Sequence, residues 1–88
     1  MGRTPRSRPR ELSPSWPDVE SVDRHAEVAR QYALSLRSAI GDRSIRSVAR
    51  DAGLDEGTLR RVLAGQSWPD LNTVSRLSEC LGVGLSLK

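Results

Sequence analysis

With 88 residues and 9.7 kDa, the chain has room for one small domain. Leu, Val and Ile supply 20 residues and Phe none, so any core is built from Leu, Val and Ala with two Trp and one Tyr. That palette favours short helices over aromatic-rich strands. No apolar run approaches the roughly 20 residues of a membrane span. The charged start over residues 1–10 is no secretory signal, and the single Cys80 excludes a disulfide framework or a multi-cysteine zinc site. A cytoplasmic protein is the expectation.

The net charge of +3 is unevenly spread: +4 over residues 1–10, −3 over 11–36, +2 over 37–66 and 0 over 67–88. A basic arm and a basic middle separated by an acidic stretch point to two anion-facing surfaces on one body. Thirteen of the fourteen basic residues are Arg. Recognition by the planar guanidinium and an Arg-favouring codon usage both account for that.

Residues 1–17 hold Pro5, Pro9, Pro14 and Pro17 among Arg, Ser and Thr. Such density removes backbone donors and biases neighbours to extended conformations. The sequence therefore predicts a flexible basic arm, without helix or sheet, ahead of a folded domain over 18–88. Val22, Ala26, Ala29, Ala33, Leu36 and Ile40 step by three or four. They predict a first helix over about 20–40, widened by Val28 and Tyr32 and ended by Gly41. Ser44 is the expected N-cap of a short second helix that turns Ile45, Val48, Ala49 and Ala52 inward and stops at Gly53. Asp55 caps a third helix with Leu59, Val62 and Leu63 inward and Gly65 at its end. After a loop over 66–69, Asp70 caps a fourth, with Leu71, Val74, Leu77 and Leu81 inward and Gly82 as terminator. Val83, Leu85 and Leu87 then alternate with Gly84 and Ser86, either as a short strand or as a simple tail.

The second and third helices carry the most information. Two short helices joined by a tight glycine-containing turn cross steeply. A small residue, Ala49, stands where the crossing leaves no room, and Gly53 where the turn wants a positive φ. Leu54 plugs the space between the helices, and Leu59 and Val62 pack the second of them back. Together with Val48 and Ala52, these residues match the restrictive positions of a helix-turn-helix.

From about residue 28 to 83 the chain resembles the phage repressor and Cro (XRE-type) family of helix-turn-helix domains. The resemblance is carried by Ser44-Ile-Arg-Ser-Val-Ala-Arg-Asp-Ala-Gly-Leu-Asp-Glu-Gly-Thr-Leu-Arg-Arg-Val-Leu-Ala-Gly65. Trp68-Pro69-Asp70-Leu71-Asn72-Thr73-Val74 and residues 77–83 extend it. It implies a compact all-α, lambda-repressor-like bundle of four or five helices that binds double-stranded DNA, usually as a homodimer. It also implies a transcriptional regulator, a repressor in the first instance, bacterial or phage-encoded and associated with the nucleoid.

By matching position, the helix at about 55–64 would enter the major groove and present Glu56, Gly57, Thr58, Arg60 and Arg61. Arg61 suits bidentate contact to guanine, and Glu56 can accept from the amino group of cytosine. Gly57 permits close backbone approach, and Thr58 suits a phosphate or a thymine methyl. Arg43, Ser44 and Arg46 would meet phosphates at the start of the second helix, and Gln66 and Ser67 on the far side. Arg6, Arg8 and Arg10 of the arm would lie along a groove.

Plainer readings stand beside these. Asp55 is read as a cap, while Glu56 either reads a base or complements the helix terminus. Arg60 is also readable as a solvated arginine, and Arg37, Arg50 and Arg76 are read as surface charges. His25 is read as partly packed, Cys80 as a small core residue and Trp68 as a lid beside Pro69. One His, no phosphate-cradling loop and no acid pair in a pocket pattern argue against an enzyme. No metal, cofactor, small-molecule ligand or membrane is implied. The alternative function is a protein-interaction or antitoxin-like module that keeps the fold without reading DNA, motivated by Asp55, Glu56 and Gly57 at groove-facing positions.

Overall fold

The computed structural model describes residues 7–85; Arg6, Ser86 and Leu87 lie outside them. Side-chain caps set the helix starts. Ser44 Oγ accepts from Ser47 N at 3.0 Å, Asp55 Oδ2 from Thr58 N at 3.1 Å, and Asp70 Oδ1 from Thr73 N at 2.8 Å. These begin α2 (Ile45–Ala52), α3 (Glu56–Leu63) and α4 (Leu71–Leu81) as expected. The first helix, α1 (Arg24–Ile40), starts later than its periodicity predicts. Asp23, in extended conformation, caps it by accepting from His25 N and Ala26 N. Val22 therefore precedes the helix and is fully exposed rather than part of its apolar face. A spacing rule cannot see that an N-cap interrupts the backbone one residue later.

The chain is all-helical, with four α-helices among the described residues. The core gathers Tyr32, Leu36 and Ile40 from α1, Val48, Ala49 and Ala52 from α2, Leu59, Val62 and Leu63 from α3, and Leu77 from α4. Leu36, Leu59, Leu77 and Val48 lie among its fully buried side chains. The Tyr32 hydroxyl is buried without a hydrogen-bond partner among the described residues, and burial raises its pKa. Cys80 is half-buried against this core.

Two expectations about side-chain burial are corrected, at Leu71 and at His25. Leu71, read as inward, is 84% exposed; it opens α4 on the side away from the core, and Thr73 is the buried residue of that turn. Residues 82–85 form no strand. His25, read as partly packed, is exposed. No helix of the described residues is long and apolar enough to cross a membrane.

The larger correction concerns the N-terminus. The expectation of no helix fails at Pro9–Leu12, a short 3₁₀ turn with Pro9 buried at its first position. That is a place where a missing N–H costs nothing. Residues 9–21 pack against the helical body instead of standing off from it. Arg10 N donates to Gly65 O at 2.9 Å, and Trp16 Nε1 donates to Leu63 O at 2.9 Å. Ser21 Oγ donates to Leu12 O. Arg30, only 7% exposed, donates to Pro17 O at 2.9 Å and grips Glu27 with Nε at 2.8 Å and Nη2 at 2.6 Å. Glu27 also accepts from Gln31 Nε2 and from Ser21 N. The Arg30 hydrogen bond, aided by those two, outweighs burial and lowers the Glu27 carboxyl to about 2 from an ordinary 4.5. A buried charge is stable only when so paired.

Candidate nucleic-acid interface

The turn between α2 and α3 closes by backbone alone. Gly53, at φ +71°, donates to Arg50 O at 3.1 Å, and Leu54 N donates to Ala49 O at 2.8 Å. Those two bonds satisfy the last carbonyls of α2 through a left-handed glycine. Leu54 then sits half-buried against the core between the helices. The Arg76 guanidinium, held by Asn72 Oδ1 at 2.9 Å, lies over the turn: a Cβ on Gly53 would stand 2.8 Å from its Nη1. Arg76 is thus exposed, as read, yet covers the hinge of the motif.

With Leu59, Val62 and Leu63 buried, Glu56, Gly57, Thr58, Arg60 and Arg61 share the solvent side of α3. Their arrangement is more specific than spacing alone reveals. Glu56 Oε2 accepts from Arg60 Nε at 2.8 Å and Nη2 at 2.7 Å. This exposed i,i+4 pair contributes about 0.3–0.5 kcal/mol, so it opens at little cost. Arg61 folds back along the helix: a Cβ on Gly57 would meet its Nη1 at 3.1 Å and Asp55 Oδ2 at 2.9 Å. Its Nη2 reaches Thr58 Oγ1 at 3.4 Å. The missing side chain at Gly57 thus makes room for the Arg61 head at the N-terminal end of α3.

Arg43 lies in the α1–α2 loop and Arg46 in the first turn of α2. Arg43 pairs with Asp51, both about half exposed, whereas Arg46 is exposed and makes no ion pair among the described residues. The Ser44 hydroxyl is occupied as a cap. Beyond α3, Gln66 N donates to Arg61 O at 2.9 Å and so caps the helix, leaving its side chain exposed; Ser67 is half-buried. Trp68, half-buried, donates from Nε1 to Ser7 O at 2.7 Å. Arg8 and Arg10 are exposed beside that loop.

Arg37, read only as a surface charge, also belongs to this region. It is exposed, with Nη2 donating to Leu63 O at 3.2 Å. With Arg43 and Arg60 it rings a cleft of about 610 Å³ also lined by Ile40, Ile45 and Leu63. Arg37, Arg43 and Arg60 reach that cleft from α1, the α1–α2 loop and α3. No linear spacing relates position 37 to position 60, so only their juxtaposition reveals the cluster.

A helix-turn-helix family model matches residues 41–88, which covers the α2–turn–α3 unit and all of α4. No curated protein matches the chain.

Proposed function

The chain belongs to the XRE-type helix-turn-helix family of DNA-binding transcription regulators, and on that premise we propose that it is a sequence-specific repressor. In this reading α3 enters the major groove of duplex DNA. Arg61 reads guanine, Glu56 accepts from cytosine once its pair with Arg60 opens, Thr58 contacts a thymine methyl or a phosphate, and Gly57 admits the backbone. Arg60 swings from Glu56 to a base edge or a neighbouring phosphate. Arg43, Ser44 and Arg46 hold one phosphate strand and Gln66 and Ser67 the other, with Arg8 and Arg10 beside them. A cytoplasmic homodimer would place two such helices on half-sites about 34 Å apart.

The observation that carries the reading is the solvent-facing side of α3, bearing Arg60 and Arg61, with Arg43 lining the same cleft as Arg60. Binding-site selection from random duplexes, followed by fluorescence anisotropy and a mass determination of the complex, tests it. Arg61→Ala should relax selectivity at one base position by about 1–3 kcal/mol. Arg46→Ala should weaken all sequences alike and lower the salt slope by about one unit. Absence of sequence preference at low salt would overturn the reading. The acids Asp51, Asp55 and Glu56 on the same surface favour the second reading, a protein-interaction module, and a protein partner that co-purifies without DNA selectivity would establish it.

A further inference from the structure

The C-terminal end of α3 is finished by a segment some 50 residues away in sequence. Trp16 Nε1 and Arg10 N satisfy the carbonyls of Leu63 and Gly65, two acceptors that the helix end leaves open. Gly65 has φ +70°, and a Cβ there would stand 2.6 Å from Trp16 Cδ2 and Cε2. The indole thus occupies the space that any other residue would fill. On the other side of the loop, Trp68 Nε1 holds Ser7 O. Arg8 and Arg10 lie between these two indole contacts, and their side chains remain exposed next to Gln66.

We propose that Trp16 is a positioning residue for DNA binding: it holds Arg8 and Arg10 against the end of α3, so that both reach DNA as one preformed surface. The inference rests on the DNA-reading role assigned to α3. Its physical basis is preorganisation. A tethered, mobile arm loses conformational freedom when it contacts phosphate, whereas a docked one has lost it already on folding. Trp16 is only half-buried and stands outside the core cluster, so removing it leaves the four helices their core.

Anisotropy titrations of the full chain on its selected duplex, across a series of salt concentrations, test the proposal. Trp16→Ala should weaken binding roughly tenfold and lower the salt slope by about two units, as two phosphate contacts are lost. The Arg8→Ala/Arg10→Ala pair should do the same, and the three changes together should cost no more than either set. Should Trp16→Ala fail to fold by circular dichroism, Trp16→Phe carries the same test with a smaller loss in the same direction. A folded variant with a lowered melting temperature but unchanged affinity and salt slope would overturn the proposal, as would losses that add in full. A wild-type chain that binds no duplex selectively would instead sink the DNA reading itself, and is recognised from the wild-type titration alone.

Discussion

Residues 44–65 and residues 7–21 are both well ordered by hydrogen bonds, but the reach of those bonds differs. In the first region Ser44 caps Ser47, Asp55 caps Thr58, and Leu54 N returns to Ala49 O. Every partner lies within one or two turns. In the second, Trp16 reaches Leu63 across 47 positions and Trp68 reaches Ser7 across 61. The motif is built by neighbours and sealed by a core; the N-terminal segment has nothing to hold until that core exists. Damage to the core therefore melts both regions, whereas damage to the staples releases one.

Core, acid, glycine and cap perturbations separate the two regions, and within these four kinds the largest effect comes first. Leu59 is fully buried in α3, so Leu59→Ala should cost about 2–5 kcal/mol and unfold the whole chain cooperatively at much lower denaturant. Leu71→Ala, at 84% exposure, should stay within about 0.5 kcal/mol in the same urea titration.

Next comes acid. The Glu27 carboxyl titrates near 2 in the folded chain against 4.5 ordinarily. The group is lowered, so its contribution is present above the ordinary value and disappears as pH falls through the folded one. Up to about 3 kcal/mol should be lost between pH 4.5 and 2. Glu27→Gln should flatten that part of the stability–pH curve, with Trp16 fluorescence reporting release of the N-terminal segment.

Gly65→Ala should destabilise by more than about 2 kcal/mol, because left-handed strain adds to the clash with Trp16. In a Trp16→Ala background the cost should fall to the strain alone, about 1–2 kcal/mol. Gly53→Ala should cost only that smaller amount, since the Arg76 head can move aside. Denaturant unfolding of the double-mutant set checks all three values. Asp55→Ala should cost about 1 kcal/mol through the lost cap on α3, read from the shift in melting temperature.

The solvent-facing side of α3 was legible beforehand. Leu59, Val62 and Leu63 fall on one side of an eight-residue helix, which places 56, 57, 60 and 61 on the other by the 3.6-residue period. Where side chains point along that side was not legible. Arg61 lies over Gly57, and Glu56 holds Arg60, through torsions and short-range pairing that no spacing encodes. Arg37 joined the cluster only because the C-terminal end of α1 comes alongside α3.

The amino-acid order by itself determined three of the four helix starts, the positive-φ glycines at 41, 53, 65 and 82, and a steeply crossed helix pair. Caps, glycine torsions and apolar periodicity act over a few residues and need no partner from elsewhere. Packing alone decided that Leu71 faces water, that Arg30 is buried, and that a proline-rich segment lies down on the end of α3. Each of those outcomes depends on acceptors and surfaces that exist only after distant helices have come together.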